Sequence, residues 1–172
     1  PMVEVRSAGK SGAFFFSTSD GKFLAKSASF TEAECLVSML PVYERHVRLN
    51  PGSVLVRFFA LLTIEGSRRK EYVIIVIMSN LFPINQKIFE RWDLKGSTYK
   101  RAADGDEASR EDAVWKDLDI SVRRPGPNPF KLGHSDRKEL AQIIQSDSNF
   151  LRACGVMDYS LIVGIGRGSS RE

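Results

Sequence analysis

Asp93-Leu94-Lys95-Gly96-Ser97-Thr98-Tyr99-Lys100-Arg101 sets one acid, three cations, a glycine and two small hydroxyl side chains within nine residues. A basic, hydroxyl-rich segment beside a glycine can bind phosphate through charge-assisted hydrogen bonds. The same composition also suits an edge strand blunted by charge. Residues 86–101 read as a further strand or two leading into this stretch.

Working outward, the preceding residues read as strands around one helix. Residues 13–17, Ala-Phe-Phe-Phe-Ser, form a strand pattern, and Phe14, Phe15 and Phe16 read as hairpin core. Ser19-Asp20-Gly21 is a hairpin turn signal, and residues 22–26 return as a second strand. A helix is expected from about Phe30 to Val47, with Thr31 and Glu34 as its capping box. Its inward positions are Ala33, Leu36, Val37, Leu40, Tyr43 and Val47, with a kink or break at Pro41. Residues 54–64 and 70–78 are strong strands joined by a turn at 66–69.

Downstream, residues 102–113 are small and charged, and 123–129 are proline-rich, so both read as loops. Ser135 should cap a helix to about Gln145, and Asp147 a short second helix closed by Gly155. Residues 156–165 alternate as a strand. Met157, Tyr159, Leu161 and Val163 share one face of it, Asp158 and Ser160 the other.

The chain has 172 residues, of which 42% are apolar, enough for one domain with a hydrophobic core and too apolar for wholesale disorder. No window approaches the apolar length of a spanning helix, the longest candidate being residues 72–78. A first residue of proline suggests a fragment or trimmed product. Cys35 and Cys154 have no framework or metal spacing and read as buried free thiols. His46 and His134 are isolated. Net charge is +4, divided as +6 over residues 1–101 and −2 over the remainder. A basic front half suits a polyanion: nucleotide, acidic membrane or nucleic acid.

Gly9-Lys10-Ser11-Gly12 precedes the first hairpin, whose return strand ends on Lys26. Glycines let a backbone loop close over phosphates, and a lysine on the return strand can reach them as a point charge. A plain hairpin with a surface lysine has the same pattern. Glu34, or less directly Glu32, is placed on the next helix to hold such a lysine.

Residues 93–101 resemble the signature of the phosphatidylinositol phosphate kinase family. Gly9 to Lys26, Lys116-Asp117-Leu118-Asp119 and Met157-Asp158-Tyr159-Ser160-Leu161 are similar to three further motifs of that family, in its order. The resemblance covers nearly the whole chain and is weakest across 102–114. It implies an α+β fold of the SAICAR synthase-like type: an antiparallel sheet with a packed helix, like a kinase N-lobe, then the start of a C-lobe. The expected division is about 1–101 for the ATP-binding part, 102–130 for a mobile loop and 131–172 for the start of the C-lobe.

By the same resemblance, Gly9, Ser11, Gly12, Lys26, Glu34 and Lys95 would bind ATP, and Asp158 would be the catalytic aspartate. The implied cofactors are ATP and Mg2+, with no metal ligand expected within this chain. Protein kinases carry a metal-binding asparagine five residues after the catalytic aspartate. Here that position is Val163, a difference the lipid-kinase family shares. The family's second, magnesium-binding aspartate and its lipid-selecting loop lie in later sequence, so the 172 residues alone are expected to be inactive. Tyr99-Lys100-Arg101 and the region of Asn50-Pro51 resemble the type that phosphorylates phosphatidylinositol 4-phosphate at the 5-hydroxyl. The implied partner is a phosphoinositide on an anionic, cytoplasmic membrane face, with peripheral attachment, no nucleic acid, and a dimer allowed. A nucleotide- or membrane-binding module without catalysis is the alternative reading.

Overall fold

The alternating apolar segments pair into two sheets, each within its own contact-dense unit, residues 1–84 and 85–172. The computed structural model describes residues 2–5, 13–66, 72–82 and 87–166. The fold is α+β. The loop at Gly9 to Gly12, most of the turn at 66–69 and the tail after Gly166 lie outside the described residues.

The first unit is a five-stranded antiparallel sheet in the order β1-β2-β3-β5-β4. Its strands are β1 (Met2–Val5), β2 (Phe15–Thr18), β3 (Phe23–Ala28), β4 (Phe58–Glu65) and β5 (Tyr72–Ser79). β1 was not expected from the sequence. The β2–β3 turn is the anticipated one. Gly21 takes φ 64°, and Asp20 Oδ1 accepts from Thr18 Oγ1 at 2.6 Å and from the Lys22 amide at 3.1 Å. Phe14 lies outside β2 and is 62% exposed, so it is not hairpin core. β4 begins at Phe58 rather than residue 54, because Ser53 to Arg57 are taken up in local bonds. Arg57 donates to the carbonyls of Ser53 and Leu55.

Helix α1 (Phe30–Leu49) buries Ala33, Leu36, Met39 and Tyr43. This stripe follows the 3.6-residue period. It is narrower than expected, leaving Val37 and Leu40 exposed. Tyr43 anchors the helix: its hydroxyl donates to the Val56 carbonyl at 2.7 Å and its ring lies 5.3 Å from Phe58. Such an aromatic pair contributes about 0.5–1.5 kcal/mol beyond its buried area. The helix runs through Pro41 without a break. The burial of Met39 and Tyr43 on either side holds the register despite the lost amide donor. Cys35 is exposed on the outer flank and Cys154 is half-buried, so neither is the buried thiol expected.

The second unit is built on β6 (Ile88–Leu94), flanked by β7 (Val114–Trp115) and β8 (Leu161–Gly166). Its hub is Trp92, fully buried. The indole lies edge-on to Phe130, 5.8 Å away, and its Nε1 donates to Glu90 at 3.2 Å. β6 thus belongs with the later strands, and the division falls after Ile84 rather than near residue 101. Residues 102–130 are not one loop. They hold α2 (Gly105–Ala108), β7, a 3-10 turn at Asp117–Asp119 and α3 (Ile120–Arg123). Small polar side chains there cap turns while staying exposed, as when Asp104 accepts from the Glu107 amide at 2.8 Å.

Helix α4 (His134–Ala153) is one helix, with Gly133 rather than Ser135 at its N-cap. Asp147 is buried within it rather than at the start of a second helix. Leu140, Ile143, Ile144, Asp147, Phe150 and Leu151 fall on one inward stripe, so the pattern has no stop at 147. The helix ends in a Schellman arrangement. The Val156 amide donates to Leu151 and the Gly155 amide to Arg152, with Gly155 at φ 70°.

Candidate phosphate-handling site

Three loops meet because of strand direction. β6 and β7 run parallel, with Trp92 opposite Trp115, so the segments after them emerge at the same end of the sheet. β8 runs antiparallel to β6, with Leu161 opposite Leu94, so the segment before it arrives at that end. Residues 95–101, 116–119 and 157–160 are therefore neighbours, although far apart in sequence.

The Lys95 ammonium donates to Asp158 Oδ1. Asp158 does not lie in a strand, as the alternation implied. β8 begins three residues later, and Asp158 takes a left-handed turn at φ 60°. Met157 and Tyr159 are exposed and share no strand face with Leu161. A non-glycine residue in this conformation carries local strain of about 1 kcal/mol or more. The turn leaves the Asp158 side chain 83% exposed. The hydrogen bond from Lys95, then its charge, holds the Asp158 carboxyl below the usual carboxylate range.

Beneath this pair is a buried ionic lattice. Arg101 donates from Nε to Asp117 at 2.8 Å, and from Nη2 to the Asp93 carboxylate at 3.0 Å and the Asp93 carbonyl. Asp117 also accepts from the Gly96 amide at 2.8 Å and the Lys95 amide at 3.1 Å. Burial pushes the Asp117 carboxyl up. The hydrogen bonds from Arg101 and from the Gly96 and Lys95 amides outweigh it and hold the group below its ordinary value. Burial likewise disfavours the Arg101 cation, but Asp117 and Asp93 more than offset it. Gly96, at φ 65°, lets the chain double back over the Asp117 carboxylate.

The result is an open cleft of about 520 Å³ lined by Lys95, Ser97, Tyr99, Lys100, Arg101, Asp158 and Tyr159. Arg101 is already bonded to Asp93 and Asp117 beneath the cleft, so Lys95, shared with Asp158, and Lys100 are the cations a phosphate could engage there. Tyr99 is 76% exposed, with Lys100 Nζ 5.2 Å from its ring centre.

In the first unit, Lys26 on β3 pairs with Glu32, Nζ to Oε1 3.0 Å. Glu34, the preferred sequence candidate, is exposed and makes neither this pair nor the cap. Ser29 and Glu32 form the capping box instead: Ser29 Oγ accepts the Glu32 amide at 3.2 Å and Glu32 Oε2 accepts the Ser29 amide at 2.7 Å. The helix begins at Phe30 as expected, but its capping box lies two residues earlier, at Ser29 and Glu32, which turns Glu32 toward Lys26. The Ser29 amide and then Lys26 hold the Glu32 carboxyl below its usual range. Gly9, Ser11 and Gly12 lie outside the described residues. Arg101 and Asp117 stood in quoted motifs without assigned roles.

Among the described residues, no group of three or more His, Cys, Asp or Glu side chains is placed to hold a metal ion. No described helix is long and apolar enough to cross a membrane.

A cation-lined cleft with one carboxylate presented at its mouth suits phosphate chemistry, and comparison with known proteins is specific about which. The family model described as Phosphatidylinositol-4-phosphate 5-Kinase matches residues 1–172, and the chain belongs to that family. It is 39% identical over 164 residues to a probable phosphatidylinositol phosphate kinase of Dictyostelium discoideum, covering 95% of this chain and 22% of that protein. It is 37% identical to phosphatidylinositol 4-phosphate 5-kinase 9 of Arabidopsis thaliana, covering 95% and 19%. It is 34% identical to human phosphatidylinositol 4-phosphate 5-kinase type-1 alpha, covering 96% and 29%. The chain therefore spans less than a third of the length of these curated relatives.

Proposed function

We propose that this chain is part of a lipid kinase that transfers the γ-phosphoryl group of ATP to the 5-hydroxyl of phosphatidylinositol 4-phosphate. The observation that carries the reading is the Lys95–Asp158 pair at the mouth of a cationic cleft, in a chain of this family. Lys26 and Lys95 are each assigned a phosphate contact, and Asp158 the acceptor hydroxyl. Glu32, not Glu34, is the carboxylate that holds Lys26.

The chemistry follows from the pairing. Phosphoryl transfer depends mainly on positioning and on cations that meet the developing charge. While Lys95 is bonded to Asp158, the carboxylate is a weak base. A nucleotide phosphate competing for Lys95 withdraws that partner, and the Asp158 carboxyl rises toward the ordinary range. Asp158 then accepts a hydrogen bond from the acceptor hydroxyl and takes its proton as the oxygen bonds to the γ-phosphorus, while the bond from that phosphorus to the β,γ-bridging oxygen breaks and ADP leaves. Magnesium would enter with the nucleotide, as it does generally in phosphoryl transfer. The described residues supply no ligand set for it, and no step is assigned to it.

The acceptor lies in a membrane, so attachment is read as peripheral, on a cytoplasmic anionic face. The basic cleft lining and the excess of Lys and Arg in residues 1–101 support attraction to such a surface. The test is turnover by the whole protein on phosphatidylinositol 4-phosphate vesicles with ATP and magnesium, with headgroup analysis of the product. A bisphosphate product is expected. Nucleotide binding with no lipid product would instead favour the non-catalytic reading.

A further inference from the structure

We propose that Arg101 and Asp117 are positioning residues that set the reach of Lys95. The inference rests on the kinase reading for its kinetic arm only.

Lys95 stands immediately after β6, where strand pairing stops with Leu94 opposite Leu161. Nothing in the sheet ladder fixes its backbone. Asp117 does so instead, accepting from the amides of both Lys95 and Gly96. A carboxylate taking two successive amides locks the turn at Gly96, whose φ of 65° the ladder would not impose.

Arg101 then aims the carboxylate. Its guanidinium bridges Asp117 and Asp93, so one planar fork spans the end of β6 and the segment after β7. The Leu118 amide returns to the Arg101 carbonyl at 2.8 Å, and Asp119 accepts from the amides of Ala103 and Lys116. Both ends of the 95–101 segment are thereby fastened to the 116–119 segment.

Burial argues for a directed role. The Arg101 and Asp117 side chains are 11% and 14% exposed. A buried ion pair is often no more stabilising than a well-packed apolar pair, so stability alone is a weak reason for one here. Its directional output is the Lys95 backbone, and through the Lys95 side chain, Asp158. Neither Arg101 nor Asp117 need touch a reacting atom.

The test uses the whole protein with Asp117→Asn, Arg101→Lys, Lys95→Met and the double variant Lys95→Met/Asp117→Asn. Asparagine keeps an oxygen for the two amides but loses the charge that Arg101 engages. Lysine keeps the charge but loses the fork, and serves if the first variant misfolds. In each positioning variant, kcat/KM for ATP should fall ~10–100-fold, the span of a lost charge-assisted hydrogen bond, with cooperative unfolding retained. The double variant should be no worse than Lys95→Met alone, because Asp117 acts through Lys95. An activity-independent arm follows the Asp158 carboxyl by NMR titration of carboxyl-labelled aspartate. Its midpoint should rise in Asp117→Asn or Arg101→Lys in the direction seen in Lys95→Met. Multiplying losses in the double variant, full activity in the positioning variants, or an Asp158 midpoint they leave unmoved would overturn the proposal. Absence of phosphoryl transfer in the wild type contradicts the kinase reading instead, and the titration then decides this one.

Discussion

The Lys95 ammonium is bonded to the Asp158 carboxylate, joining residues 63 positions apart at the end of one three-stranded sheet. The pair accounts for the low Asp158 carboxyl; on the proposed roles it would also couple the nucleotide and acceptor steps. Lys95→Met should therefore weaken ATP use and also raise the pH at which Asp158 titrates. The acid limb of the rate profile, set by the free enzyme, should move to higher pH. A profile unchanged in shape would separate Lys95 from Asp158 in function.

The Lys26 partner gives a sharper discrimination. Glu32→Gln keeps a side chain able to complete the capping box but removes the charge facing Lys26. ATP kcat/KM should fall ~10–100-fold, and Glu34→Gln should stay within about twofold of wild type. Steady-state kinetics on both variants, with thermal melts to confirm folding, make the comparison. Equal losses would return the role to Glu34.

Trp92 should dominate the stability of the second unit. Its side chain is wholly buried against Phe130 and hydrogen-bonded to Glu90, which Arg124 also engages at 2.8 Å. Trp92→Ala should cost about 3–5 kcal/mol in urea unfolding. Trp115→Ala, at a half-buried position under Arg123, should cost less.

Acid should loosen the ionic lattice with a defined sign. The Asp117 carboxyl lies below its ordinary value in the folded protein. Its contribution is thus present above the unfolded carboxylate range of about 4 and is lost as pH falls through the lower folded value. Thermal melts from neutral pH downward should show wild type losing its advantage over Asp117→Asn in that window. A constant gap would mean that Asp117 does not titrate as the ion-pair geometry requires.

The parts of the molecule visible in sequence were those encoded locally. The β2–β3 turn followed from Asp20-Gly21, and the strand character of β5 from an unbroken apolar run. The frame of α1 was ambiguous, because Ser29-x-x-Glu32 and Thr31-x-x-Glu34 both satisfy the capping pattern. Only packing against the sheet chose the first. Asp158 was singled out, but the alternation around it resembled a strand. Its left-handed turn follows from the chain leaving α4 through Gly155 before entering β8. Arg101 and Asp117 were unreadable as a pair because their meeting depends on parallel pairing of β6 with β7. A two-residue strand such as β7 leaves almost no periodic trace.

Membrane attachment should be electrostatic. Whole-protein binding to anionic vesicles should fall steeply as salt rises through the range where the Debye length shrinks below ~10 Å. Binding that ignores salt would indicate an inserted apolar segment.

In the proposed reaction Asp158 serves the acceptor hydroxyl and not the nucleotide. The most direct measurement is Asp158→Asn in the whole protein, assayed for lipid phosphorylation and, separately, for ATP binding. The account predicts a fall in kcat of ~10²–10⁴, the usual worth of a positioned base, with ATP affinity unchanged or tighter because Lys95 loses its competing partner. Near-normal turnover, or a fall in ATP affinity large enough to explain the lost rate, would contradict it.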